Sequence, residues 1–158
     1  MNSVIEQKWS WVEGSNQLRD ELMNSLSDAD LAFTPGGQNI SLGALCREMG
    51  EVQHSYNESF RTFSQSFDYR NTEPGLDGSV ARLRAWYQAL DADMKTLLSA
   101  MSEEDTHKMI DRGGGFALPV SLQVDVYLQA LLIFFGKVSV FLKAMNRPLP
   151  KQMAEWIW

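Results

Sequence analysis

Cysteine, histidine and positive charge are scarce in this sequence. Its 158 residues include one cysteine and two histidines, and 14 Lys and Arg residues are outnumbered by 20 Asp and Glu residues, which gives a net charge of −6. A single thiol excludes an internal disulfide and a metal site built from several cysteines. A negative chain without basic clusters argues against binding to a nucleic-acid backbone, which requires grouped Lys and Arg.

Long uninterrupted hydrophobic runs are also missing. The most apolar segment, Ala130–Phe135, lies between Gln129 and Lys137, and it is far shorter than the ~20 apolar residues that cross a bilayer. Polar residues at Glu6–Lys8 interrupt the N-terminal segment, where a secretory signal would have its apolar core. We therefore expect a cytoplasmic protein that does not bind membranes.

Four segments with helical periodicity cover most of the chain. They are predicted over about Ser3–Ser27, Ser41–Phe67, Ser79–Met101 and Val120–Met145. Ser41 and Ser79 are suitable N-caps, and the fourth segment is apolar on most sides, which is typical of a helix in a bundle core or a subunit interface. Four helices of similar length predict an all-α four-helix bundle, with one domain over residues 1–158.

The segments between these helices are rich in glycine, proline, asparagine and aspartate. They are longer than is usual between antiparallel neighbours, so at least one of them is expected to cross the end of the bundle. The acidic residues Glu103–Asp105 are expected in solvent, and Gly113–Gly115 in a loop with positive φ. A phosphate cradle at these glycines would need the Lys-Ser/Thr pair of a P-loop, which is absent. Residues Gln152–Trp158 are expected to form a last short turn.

Two stretches of the sequence carry a family resemblance. One is Ser41–Glu48 (SLGALCRE), and the other is Phe135–Lys137 (FGK) followed by Phe141–Pro150 (FLKAMNRPLP). The first resembles the opening of the second helix in the DinB/YfiT-like superfamily, a group of bacterial proposed metalloenzymes. The second resembles the end of that family's last helix and its Pro-x-Pro close. The resemblance implies a four-helix bundle with an unusual order of connections, and a homodimer.

The resemblance also implies where a metal site would lie. The family holds a divalent metal with three histidines, one on the second helix and two at i, i+4 on the fourth, a spacing that places both on one face. The three positions fall here on Glu48, Ala130 and Phe134. The methyl group of Ala130 and the phenyl ring of Phe134 have no atom that binds a metal, and the single carboxylate of Glu48 does not hold zinc or nickel by itself. We therefore expect a DinB-like protein without the metal triad and without a cofactor.

A ligand pocket is expected between the predicted helices near these positions. Its candidate residues are Glu48, Val52, Tyr56, Trp86, Tyr127, Ala130 and Phe134. Glu48 has two interpretations, because it lies beside the buried face of its helix. It is either a pocket acid that binds a ligand or exchanges protons, or a boundary carboxylate paired with an arginine such as Arg47, Arg82 or Arg84.

The histidines and the cysteine are expected to have structural roles. His54 and His107 are expected to be solvated or locally hydrogen-bonded, and Cys46 to be an inert residue of a helix interior.

Two classes of function remain open. The first is a metal-free module that binds a small molecule or a protein partner. The second is a DinB-type metal-dependent hydrolase or thiol transferase, in which Glu48, alone or with His54, belongs to a rebuilt zinc or nickel site.

Overall fold

Four long α-helices form the frame of the molecule in a computed structural model, which describes residues 1–157. They are α1 (Ser3–Asn24), α3 (Leu42–Thr62), α4 (Val80–Ala100) and α6 (Val120–Ala144). The connections contain short helices α2 (Asp28–Leu31), α5 (Glu103–Thr106) and α7 (Lys151–Ile157), a 3-10 turn (Leu76–Gly78), and strands β1 (Met109–Asp111) and β2 (Ala117–Pro119). The four predicted helices and the C-terminal turn are confirmed; Trp158 lies outside the described residues.

Local capping sets the ends of α3 and α4. Ser41 and Ser79, the two predicted N-caps, each accept a hydrogen bond from the backbone N–H three residues later. The prediction that α3 extends to Phe67 is wrong, because the helix ends at Thr62. Phe63 takes the left-handed conformation, with φ at 58°, and a residue in that conformation ends an α-helix.

The connection between α4 and α6 contains structure that the periodicity did not predict. Glu103 and Glu104 are exposed, as expected, and with Asp105 they form most of α5, a single turn stabilised by a capping box between Ser102 and Asp105. Strands β1 and β2 then pair in an antiparallel hairpin, and strands of three residues are too short to show a period of two. Gly113–Gly115 all take positive φ, as predicted, and they lie at the tip of this hairpin.

Helices α1 and α6 run in the same direction. Lys8, in the second turn of α1, pairs with Asp125, in the second turn of α6, with Nζ and Oδ2 2.5 Å apart. Arg147, just beyond α6, donates a hydrogen bond of 2.8 Å to the carbonyl of Ser25, just beyond α1. The two helices therefore begin at one end of the bundle and finish at the other.

Helices α3 and α4 are also parallel to each other. The hydroxyl of Tyr87 donates to the carbonyl of Cys46 in the first half of both helices, and the guanidinium of Arg61 contacts Asp93 in the second half of both. Since consecutive parallel helices need a connection that returns along their length, the segment 63–79 crosses from one end of the bundle to the other. A long crossover connection is present, as expected, but it runs along the bundle and not across its end.

This returning segment lies against α3. The backbone N–H of Asn71 donates a hydrogen bond of 3.0 Å to Oε1 of Glu51. The ring of Tyr69 stacks on the imidazole of His54, with 3.6 Å between the ring centroids. The segment therefore stands beside the exposed side of α3 and forms a wall there.

The core lies between the four long helices. Among its fully buried side chains are Leu18, Leu22, Met23, Phe60, Leu83, Met94, Tyr127 and Phe135. Trp11 of the first helix is 65 % exposed, because α1 buries the neighbouring face that carries Val12 and Leu18.

Helix α6 is apolar on its outer side as well as on its core side. Leu132, Ile133 and Val140 are 52 %, 61 % and 58 % exposed. By length and composition alone α6 could cross a membrane, and 44 % of its most apolar window is buried inside the bundle. Core helices of soluble proteins have the same composition, because a helix that is apolar on all sides can be buried either in a large protein core or in a membrane.

Candidate functional site

Three adjoining cavities surround Glu48 on the outer side of α3, and we call them together the Glu48 groove. Their volumes are about 480, 380 and 130 Å³, and Glu48 lines all three. The lining side chains are Pro35, Gln38, Asn39, Ile40, Ala44, Leu45, Arg47, Glu48, Met49, Glu51, Val52, Ser55, Phe67, Arg70, Ala130, Ile133, Phe134, Lys137, Val140 and Phe141. The two larger cavities fall in the size range of small-molecule pockets, about 300–1,000 Å³.

The smallest cavity brings together the three positions singled out by the resemblance. Glu48 from α3 and Ala130 and Phe134 from α6 line it, and Val52 stands beside them. Ala130 and Phe134 are spaced i, i+4, so both lie on the face of α6 that meets α3. Four of the seven predicted pocket residues therefore line the same cavity.

The Glu48 carboxylate faces solvent and one cation. Its side chain is 50 % exposed, and its Oε1 lies 3.9 Å from Nζ of Lys137 on α6. That separation is an ion pair without a hydrogen bond. The arginines considered as partners bind other carboxylates: Arg47 contacts Asp77 and Glu51, Arg82 contacts Glu73, and Arg84 contacts Asp20. The partner of Glu48 is a lysine in the fifth turn of α6.

Charged groups of both signs form the rim of the largest cavity. Glu51, whose side chain is 10 % exposed, lies 3.8 Å from Nε of Arg47 and 4.0 Å from Nε of Arg70. Its Oε1 also accepts the backbone N–H of Asn71. Glu51 thus ties the returning segment to α3, while both guanidinium groups remain at the edge of the groove.

The other three predicted pocket residues, Tyr56, Trp86 and Tyr127, lie away from the groove. Tyr56 and Tyr127 are buried and pack on each other, with ring centroids 5.4 Å apart. Trp86 packs between α3 and α4, where its ring occupies the space that a side chain at Gly50 would need. Burial raises the pKa of Tyr127, and its hydroxyl lies 3.4 Å from Oδ1 of Asn16. These aromatic rings are part of the core.

The cysteine and the histidines lie in three separate environments. Cys46 is fully buried, and burial raises its pKa to about 12, so the thiol stays protonated and inert at neutral pH. His54 stacks on Tyr69. His107 is exposed, 3.6 Å from Glu103. In the described part of the chain no three His, Cys, Asp or Glu side chains are grouped as a metal site would require.

Comparison with solved structures identifies the fold. A crystal structure of a DinB-like protein, YjoA, from Bacillus subtilis superposes with a TM-score of 0.65 at 17 % sequence identity, over 94 % of this chain and 96 % of that one. The chain has the DinB-like fold. A scan of family models and a search of curated protein sequences give no match. The predicted resemblance is therefore confirmed at the level of the fold.

The residues of this DinB-like bundle do not fit the metal ion that the resemblance implies. Of the side chains that line the smallest cavity, only Glu48 carries an oxygen, and Lys137 places an ammonium group beside it. Zinc and nickel sites in proteins use three or more nitrogen, sulfur or oxygen ligands. A single carboxylate therefore does not supply the ligand set of such a metal site.

A second feature of this DinB-like bundle is a buried ion pair, which the sequence analysis missed. Arg19 of α1 is 1 % exposed and donates to Oε1 of Gln53 and to Oδ1 of Asp91, each at 2.6 Å. Burial alone would lower the pKa of Arg19, but Tyr127 and Asp91 outweigh it and raise the pKa above its ordinary value. The pair joins α1, α3 and α4 beneath a cavity of about 310 Å³.

A signal for this pair was present in the sequence. Val12, Arg19 and Met23 are spaced by seven and four residues, which places Arg19 on the buried face of α1. A charged residue at such a position is paired in almost every case. Its partner, Asp91, is 72 residues away in sequence, and the spacing alone could not identify it.

Proposed function

We propose that this protein binds a small organic molecule in the Glu48 groove without a metal ion. The observation that carries the proposal is the chemistry at positions 48, 130 and 134, where a carboxylate, a methyl group and a phenyl ring line one cavity. An apolar floor with a few converging polar groups is the usual composition of a small-molecule site. Glu48 supplies the polar group nearest to that floor.

Lys137 gives the proposal independent support. Its ammonium group lies 3.9 Å from Glu48 and balances the charge of the carboxylate, so the pair is neutral without an added cation. Because the two groups are not hydrogen-bonded to each other, both keep donors and acceptors for a ligand. A bound molecule would replace the water that solvates them.

Titration of isotope-labelled protein with indole, a neutral aromatic probe, tests this proposal. Amide resonances are followed by two-dimensional NMR, and we expect shifts at Glu48, Val52, Ala130 and Phe134. The variant Ala130→Trp fills the floor and should abolish them, while Ala89→Trp, on the exposed side of α4, should leave them unchanged. Shifts that are scattered over the surface, or that survive Ala130→Trp, would contradict the proposal.

We also propose that the protein is a cytoplasmic homodimer that pairs through the outer side of α6. The exposed side chains Leu132, Ile133 and Val140 form an apolar strip, and a second copy can cover the same strip by two-fold symmetry. Light scattering after size-exclusion chromatography should give a dimer for the native protein and a monomer for Leu132→Glu. Met109→Glu, an equally exposed apolar position on the hairpin, is the matched control and should remain dimeric. A native monomer at micromolar concentration would contradict this arrangement.

A further inference from the structure

The walls of the Glu48 groove carry opposite charges within a short distance. Arg47, Glu48 and Glu51 occupy neighbouring positions on α3, and side chains three or four residues apart on a helix have Cβ atoms about 5–6 Å apart. Arg70 reaches the same wall from the returning segment, with its Nε 4.0 Å from Glu51. A ligand of a few atoms could therefore contact a carboxylate and a guanidinium at the same time.

Arg70 is held so that part of its guanidinium is available. Its Nη1 donates to the carbonyl oxygens of Phe67 and Tyr69 at 2.7 and 2.6 Å, which fixes the plane of the group. Among the described residues, no hydrogen bond engages its Nε and Nη2, and the side chain is 66 % exposed. That edge of a guanidinium is a planar fork that matches a carboxylate.

Glu48 is the complementary acceptor. Its nearest cation in the described chain, Lys137, is beyond hydrogen-bond distance, so neither carboxylate oxygen accepts a hydrogen bond from a side chain of the described residues. An ammonium group is a triple hydrogen-bond donor that such a carboxylate accepts. The apolar side chains Val52 and Phe67 line the same cavity as both charges, together with the polar groups of Arg47, Glu51 and Ser55.

We propose that the ligand is a zwitterion with an apolar side chain, of the class of a hydrophobic α-amino acid. The ammonium group would bind Glu48, the carboxylate would bind Arg70 with help from Arg47, and the side chain would cover Val52 and the floor. A pure anion would meet Glu48 and Glu51, and a pure cation would meet both arginines, so each would be opposed by like charge. This inference rests on the proposed function, because it names the ligand class of the same groove.

Three probes with one common body test the ligand class by isothermal titration. They are L-phenylalanine, 2-phenylethylamine, which lacks the carboxylate, and 3-phenylpropanoate, which lacks the ammonium group. We expect phenylalanine to bind at least about tenfold more tightly than either, since a hydrogen bond to a charged group contributes about 1.5–3 kcal/mol. Equal affinities for the three probes, or 3-phenylpropanoate as tight as phenylalanine, would overturn the proposal.

Variants assign the two ends of the ligand. Glu48→Gln should weaken the binding of phenylalanine and 2-phenylethylamine about tenfold without weakening that of 3-phenylpropanoate, whereas Arg70→Gln should weaken the binding of phenylalanine and 3-phenylpropanoate only. Arg61→Gln is the matched control, because Arg61 is exposed at the far end of α3 and pairs with Glu58 and Asp93. A loss of affinity in Arg61→Gln equal to that in Arg70→Gln would overturn the assignment.

The indole titration distinguishes an error in the ligand class from an error in the proposed function. If indole shifts the groove amides while the three charged probes fail to bind or bind alike, the ligand class is wrong and the metal-free groove stands. If neither indole nor any of the three probes perturbs the groove, both proposals are wrong.

Discussion

Removal of the carboxylate at Asp91 should be among the most damaging single changes in this protein. Arg19 is 1 % exposed and Asp91 is 26 % exposed, so Asp91→Ala leaves a guanidinium buried without a counter-charge. Breaking a buried pair in this way costs about 3–5 kcal/mol. For a domain of this length each kcal/mol lowers Tm by about 2–4 °C, which predicts a fall of roughly 6–20 °C.

The opposite change should cost much less. Arg19→Met keeps the apolar contact with Tyr87, whose ring lies 4.1 Å from the guanidinium carbon, and it leaves behind a carboxylate that water can reach. We expect a loss of about 1–3 kcal/mol, because Oε1 of the fully buried Gln53 also loses its donor. The asymmetry between the two variants follows from the difference in burial between the two partners.

Urea denaturation followed by circular dichroism measures both losses. Asp20→Asn is the matched control, because Asp20 forms a comparable ion pair with Arg84 in which the side chains are 42 % and 30 % exposed, and exposed pairs contribute about 0–1 kcal/mol. Equal losses for Asp91→Ala and Arg19→Met, or a larger loss for Arg19→Met, would refute the view that Asp91 compensates a buried charge.

Two further predictions concern packing and thiol chemistry. Gly50→Ala should lower the free energy of unfolding by about 1–3 kcal/mol, because the new Cβ would overlap the ring of Trp86. Gly14→Ala should not be destabilising, because no side-chain or distant backbone atom lies within 4 Å of the added Cβ. Equal denaturation midpoints for the two variants would contradict this packing. Cys46 should resist iodoacetamide at pH 8 in the native protein and react fully in urea, since burial raises its pKa to about 12. Rapid alkylation of the native protein, detected by mass spectrometry, would show an accessible thiolate and would support the thiol-transferase alternative.

The long helices could be predicted because their signals are local. The apolar repeat from Leu45 through Phe60 and the caps at Ser41 and Ser79 each depend on residues within a turn or two. The end of α3 could not be predicted, because the left-handed Phe63 depends on a residue distant in sequence: the backbone N–H of Asp111 in β1 donates a hydrogen bond of 3.0 Å to the carbonyl of Phe63. The hairpin was missed for the same reason, since three-residue strands are defined by their partners.

The groove could be predicted in part. The resemblance placed Glu48, Ala130 and Phe134 on one site, and the structure brings them around one cavity. Lys137 and Arg70 were not anticipated, because their positions depend on the register between α3 and α6 and on the path of the returning segment. Residue spacing along one helix carries no information about either.

Metal content is the most direct measurement of the central claim. Protein purified without a polyhistidine tag is incubated with excess zinc or nickel, desalted and assayed by inductively coupled plasma mass spectrometry. Because the side chains at 48, 130 and 134 offer one carboxylate beside a lysine, we expect far less than one equivalent of either metal, with no change in Glu48→Ala. One equivalent of zinc or nickel that disappears in Glu48→Ala would contradict a metal-free groove.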